Sequence, residues 1–167
     1  KTAKALIELA APALALEIVE IGDLSPYNQD LDTDTPPEDW VAFRDRIRPA
    51  DAVLFVTPEY NRSVPGVLKN ALDVASRPYG KAAMGHKPAA VVSVTSGALG
   101  AFGANHHLRQ SLVFLDMPAM PQPEAYIGNA AKLFDAEGRL VNDDTREFLR
   151  KFCAAFARWI EATSELA

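Results

Sequence analysis

The chain is 167 residues long, the size of one domain at ~100–200 residues each and enough to bury a core. Its 17 Lys and Arg stand against 22 Asp and Glu, a net charge of −5 with no basic run, which argues against a phosphate-neutralising nucleic-acid binder. Hydrophobic residues at 49% and charged residues at 23% exclude wholesale disorder.

Along the chain, helical and strand patterns alternate. Ala3, Leu6, Ile7 and Ala10 follow the i, i+3, i+4, i+7 spacing of an amphipathic helix that opens directly at Lys1. Leu16 to Ile21 alternates apolar and polar residues with one slip, the pattern of an edge strand. Ser25 to Asp39, rich in Pro, Asp and Asn, reads as a surface loop. Trp40, Phe43 and Ile47 mark a short helix that stops before Pro49. Ala52 to Val56 is continuously apolar, as a parallel strand buried on both faces should be. Pro65 suits the first turn of a helix whose apolar face is Val64, Leu68, Ala71, Leu72 and Ala75.

A second buried strand, Ala89 to Val94, leads through a Gly-rich turn from Gly97 to Gly103 into a helix carrying Leu108, Leu112 and Leu115. Met120 to Ile127 reads as a last strand, kept near an edge by Pro121 and Pro123. The closing helix has a capping pair, Asp144 with Glu147, and an apolar stripe of Phe148, Phe152, Phe156, Trp159 and Ile160. With no repeat or linker, residues 1–167 read as a single α/β domain with right-handed crossovers.

In such folds ligands sit beyond the carboxyl ends of the strands. Two loops hold that place: Thr57 to Gly66, and Thr95 to Gly103. Both offer backbone N–H groups and small residues that let a ligand approach closely.

The run Thr57-Pro-Glu-Tyr-Asn-Arg-Ser-Val-Pro-Gly-Val-Leu-Lys-Asn-Ala-Leu-Asp73 resembles the signature of the NADPH-dependent FMN reductase family. His107 to Gln110, the Leu-Val-Phe-Leu-Asp run ending at Asp116, and Pro123-Glu124 extend the likeness over nearly the whole chain. The resemblance implies a flavodoxin-like three-layer sandwich with a parallel sheet, holding FMN and taking electrons from NAD(P)H. It implies ping-pong reduction of quinones or other small oxidised acceptors, in a cytoplasmic homodimer or homotetramer. Carried over by position, Pro58, Glu59, Tyr60, Asn61 and Arg62 line the isoalloxazine edge, largely through backbone groups. Thr95, Ser96 and Gly97 meet the ring from the neighbouring loop. No side chain is needed as nucleophile or base, because the protein supplies orientation and electrostatics to a reactive cofactor. Glu59 is accordingly read as an anchor bonded to nearby N–H groups rather than as a general base.

Three departures accompany the likeness. The family's Gly-Ser-x-Arg phosphate loop, with its preceding strand, does not occur in these 167 residues. The expectation is that roughly ten to twenty residues precede Lys1, the length of a strand and its loop. Without that strand, Leu16 to Ile21 lacks a sheet partner, and the chain starting at Lys1 should bind FMN weakly. Val74 replaces a common Trp, and Ala101 the second Gly of a frequent pair.

Other features are set aside. Asp30, Asp32 and Asp34 mimic a calcium loop, but Thr35 and Val41 stand where its Gly and Glu belong. His106 and His107 point about 100° apart on a helix and do not make a metal pair, and His107 reads as a packed or interface residue. Tyr27 and Tyr126 border either the flavin or a subunit interface. Cys153, the single cysteine, excludes an internal disulfide, fits a reducing compartment, and is read as inert within the apolar stripe. No apolar run approaches the ~18 residues of a membrane-spanning helix. Two alternatives to the reductase stay open: a flavodoxin-type electron carrier working without nicotinamide, and a member that has lost flavin and serves as a scaffold.

Overall fold

The computed structural model describes residues 1–163. Its regular elements are α1 (Thr2–Ala10), α2 (Glu38–Ile47), β1 (Val53–Thr57), α3 (Gly66–Ala75), β2 (Ala89–Val94), α4 (Phe102–Phe114), β3 (Ala125–Ile127) and α5 (Asp143–Thr163). The three strands are parallel in the order β1-β2-β3, with Val53 opposite Ala89 and Val92 opposite Ala125.

Strand alternation divides the core into two layers. Phe55, Ala89 and Val91 pack with Trp40, Leu72 and Leu108 from α2, α3 and α4 on one side. Ala90, Val92, Ala125 and Ile127 pack with Leu6, Phe152 and Phe156 from α1 and α5 on the other. Helices therefore cover both faces of a parallel sheet, a three-layer sandwich. Most of β2 is buried, as its apolar run requires. β3, behind Pro121 and Pro123, pairs on one side only.

One local expectation is met and two change. Leu16 to Ile21 joins no ladder, although its side chains pack onto both core layers through Leu16, Val19 and Ile21. β1 consequently has an unpaired outer edge, and Val53, Leu54 and Val56 are only half-buried rather than fully enclosed. An apolar trough of about 680 Å³ runs along this edge, lined by Leu6, Ile18, Val19, Leu54, Val56 and Ile160. Thirdly, the cap of α5 is Asn142, whose Oδ1 accepts from Thr145 N at 2.8 Å, not Asp144. Glu147 pairs instead with Arg150 at 2.6 Å.

The Ser25 to Asp39 loop is fixed from beneath. Asn70 of α3 accepts from Tyr27 N at 2.7 Å and donates to Ser25 O at 3.0 Å, and Trp40 Nε1 donates to Ser25 O at 3.1 Å. Arg44, only 3% exposed, donates to Val74 O at 2.9 Å and meets Asp32 at 3.2 Å. A buried guanidinium needs such partners, since desolvation without them is costly. Among the described residues no helix is long and apolar enough to cross a membrane, and no group of three or more His, Cys, Asp or Glu could hold a metal ion.

Candidate active site

Thr57 and Ser93 face each other across β1 and β2, so the loops that follow them leave the sheet side by side at its carboxyl end. The first loop is a tight turn. Tyr60 and Ser63 exchange two backbone hydrogen bonds of 3.0 Å, and between them Asn61 and Arg62 take left-handed φ values of 50° and 65°. Positive φ at both central residues is the arrangement of a type I′ turn, for which Asn is well suited and Arg is not. The strain at Arg62 is held at the point where the loop faces outward. Pro58, Tyr60, Asn61 and Arg62 are exposed, while Glu59 is half-buried.

Glu59 explains how this loop is held against the second one. The residue preceding α4, Ala101, has no side chain able to cap, and it sits at φ 59°. Glu59 supplies the missing acceptor from a distance: its Oε2 takes the Ala104 N–H at 3.0 Å, in the first turn of the helix. A carboxylate at that position also meets the positive end of the helix dipole. Gly103 makes the approach possible, since a Cβ there would lie 2.9 Å from both Glu59 Oε2 and the Arg62 carbonyl oxygen. Glu59 does anchor the loop, but on α4 rather than on N–H groups near it in the chain. His107, exposed on the next turn, adds a bond between its Nδ1 and Ser63 Oγ at 2.9 Å.

The second loop is held by different partners. Thr95 O accepts from Ala130 N at 3.0 Å and Gly97 O from Asn129 N at 2.8 Å, so the segment after β3 supports it. Beneath it runs a buried polar chain. Ser93 Oγ donates to Gly100 O at 2.7 Å and accepts from Asn105 Nδ2 at 3.1 Å; Arg109 Nε then donates to Asn105 Oδ1 at 2.9 Å. Ser93 and Asn105 are fully buried, and satisfied networks of this kind fix a unique geometry. Gly100 is required where it stands: its φ is +60°, and a Cβ would lie 2.6 Å from the Tyr126 backbone carbon. Ser96 and Gly97 are exposed, and Thr95 is half-buried.

Of the two tyrosines, Tyr27 is taken up by packing, its ring stacked on Trp40 at 5.3 Å. Tyr126 is the middle residue of β3, opposite Ser93, its hydroxyl 3.0 Å from His106 Nε2. Burial first, then the Glu124 carboxylate, pushes its phenol up to about 12. Sequence reasoning did not find the supports contributed by Gly128–Ala130, Ser93, Asn105 and Arg109. The short polar residues Ser93 and Asn105 inside otherwise buried elements were the available signal.

A parallel three-layer α/β sandwich with two exposed loops side by side at the strand ends is the arrangement in which α/β proteins bind their ligands. The sequence profile of the NADPH-dependent FMN reductases matches residues 1–132, and the chain belongs to that family. It is similar to a quinone reductase of Pseudomonas putida, 65% identical over 161 residues, which are 96% of this chain and 86% of that protein. A 2-hydroxy-1,4-benzoquinone reductase of Burkholderia is 47% identical, covering 95% and 86%. Among solved structures, the flavoenzyme NAD(P)H:(acceptor) oxidoreductase FerB of Paracoccus denitrificans superposes with a TM-score of 0.87 at 44% identity, covering 96% of this chain and 87% of that one. The expected flavodoxin-like class thus stands.

Proposed function

We propose that this chain is an FMN-dependent NAD(P)H oxidoreductase that reduces quinones or similar small oxidised acceptors. The observation that carries the reading is the pair of outward-facing loops locked together by Glu59 at the ends of adjacent parallel strands. FMN, when bound, supplies a ring that accepts a hydride from the nicotinamide and passes two electrons to the acceptor. Pro58, Glu59, Tyr60, Asn61 and Arg62 hold one edge of that ring, and Thr95, Ser96 and Gly97 hold it from the neighbouring loop. The exposed residues Tyr60, Asn61 and Arg62 of the turn, with Ser96 and Gly97 exposed beside them, fit a flat ring laid against backbone. Groups held in fixed directions around the ring tune flavin electronics without an ionisable side chain. Glu59, bonded to Ala104 and only 14% exposed in its side chain, positions the loop rather than moving a proton.

Residues 1–167 act as one flavin-binding domain in this reading, in a cytoplasmic homodimer or homotetramer. Reductase relatives and the reductase-type Pro58–Arg62 loop support it over a carrier. The test is anaerobic. NADPH or NADH should bleach the flavin of the holoprotein, and a benzoquinone should restore its colour. No bleaching by either nicotinamide would sink the reading in favour of the carrier. A holoprotein structure with the ring more than ~4 Å from every atom of both loops would refute the site assignment. Light scattering on the same sample gives the number of subunits.

A further inference from the structure

Three apolar side chains stand open to solvent on the two loops and the start of α4: Tyr60 at 62%, Leu99 at 61% and Phe102 at 53% exposed. Single exposed apolar residues need no explanation. Phe102, however, belongs to a cluster. Its ring centroid lies 4.2 Å from His106 and 5.3 Å from Tyr126, and the His106 and Tyr126 rings are nearly parallel, 15° apart, at 6.1 Å. The i, i+4 spacing on α4 puts Phe102 and His106 on one face. The His106–Tyr126 hydrogen bond closes the triangle, and Gly100 packs under the Tyr126 backbone. The result is a rigid aromatic shelf with a polar margin. It adjoins the site directly, because the residue after Phe102, Gly103, touches the Arg62 carbonyl.

A fixed set of π-faces beside a flavin loop fits one ligand chemistry better than others. A planar, electron-poor ring gains from offset or tilted contact with electron-rich rings, whereas an inorganic anion or a metal complex gains nothing from it. The faces of these rings are apolar, while the His106 contact and the Glu124 carboxylate gather at the Tyr126 hydroxyl.

Building on the reductase reading above, we propose that Phe102, His106 and Tyr126 form an acceptor-side subsite that receives the ring of quinone-class acceptors and sets the preference for them over non-aromatic oxidants. Phe102 is its specificity-determining residue.

The test uses the FMN-loaded full chain and two variants, Phe102→Leu and Phe102→Trp. Leucine preserves apolar bulk and helix propensity but removes the π-face; tryptophan restores it. The ratio of kcat/KM for benzoquinone to that for ferricyanide should fall roughly two- to tenfold in Phe102→Leu and recover in Phe102→Trp, the range expected for one aromatic contact. A binding readout without turnover accompanies it. Benzohydroquinone titrated into the oxidised holoprotein should shift the His106 ring-proton resonances, with weaker affinity in Phe102→Leu. An unchanged ratio, equal loss with both acceptors, or resonances of His106 that ignore the hydroquinone would each overturn the proposal. A Phe102→Leu protein whose ratio is unchanged but whose subunit number falls would instead assign the shelf to contact between copies of the chain. Failure of NAD(P)H to bleach the parent protein's flavin would be a failure of the reductase reading, seen before any variant is compared.

Discussion

Replacing Glu59 should reveal that one side chain holds the two loops together. Ala104, whose N–H it accepts at 3.0 Å, is fully buried, so removal of the carboxylate leaves a donor with neither partner nor water. Hydrogen bonds to charged groups contribute about 1.5–3 kcal/mol, and an orphaned buried donor costs in the same range. The Arg62 contact adds little, being 3.6 Å long with the guanidinium 73% exposed. Glu59→Ala should therefore lose about 2–3 kcal/mol of stability. Glu59→Gln keeps an acceptor oxygen and forfeits mainly the charge–dipole part, about 0.3–1 kcal/mol. In urea unfolding, with a slope of roughly 2 kcal/mol/M, the alanine variant's midpoint should drop by about 1 M and the glutamine variant's by well under half that, both with unchanged slope. Equal losses in the two variants would show that the charge, not the acceptor, is what matters. No loss in either would refute the distal cap altogether.

Further outcomes follow from neighbouring features. Gly100→Ala should destabilise by about 2 kcal/mol or more, because strain at φ +60° adds to a clash with the Tyr126 backbone; thermal unfolding measures it. Asn105→Ala leaves Ser93 Oγ and Arg109 Nε short of a partner in the interior and should cost about 2–3 kcal/mol by denaturant titration, whereas Arg109→Lys, which still carries a donor, should cost less. Cys153 is 2% exposed, and burial pushes its thiol up to about 11, so a disulfide reagent at pH 8 should label it only after unfolding. Since that folded value lies above the unfolded one, the stability linked to the neutral thiol is fully present below about pH 9 and is lost as pH rises through about 11.

The parts of this fold that local pattern can encode were legible. β2 is apolar throughout and most of it is enclosed, and the α5 stripe puts Phe152 and Phe156 inside. The loops were placed correctly because the apolar runs end at Val56 and Val94. What pattern cannot encode is the presence of a neighbour. β1 has the same apolar run as β2 yet is half-buried, and Leu16–Ile21 alternates like a strand without a ladder to join. Long-range polar partners are equally invisible. Nothing in the local pattern of α2 signals that Arg44 is buried, and the Ser93–Asn105–Arg109 chain joins residues that sequence does not connect. Glu59 was legible as an anchor because free N–H groups at a helix start attract a carboxylate, but that the helix is α4 was not.

The tight turn between Tyr60 and Ser63 also bears on the thermodynamics of ligand capture. Two mutual backbone bonds, the Glu59 bond to α4 and the His107 bond to Ser63 have already removed the conformational freedom of this segment before any ligand arrives. Ordering four such residues at the moment of binding would cost roughly 4–8 kcal/mol, at about 1–2 kcal/mol each. In the proposed reading, where this turn meets the flavin ring, a segment already ordered avoids that penalty, so association should be a single kinetic phase whose heat-capacity change reflects only the surface the ligand covers. The left-handed Arg62 is where that readiness is stored: strain accepted once, during folding, in place of entropy surrendered at every encounter.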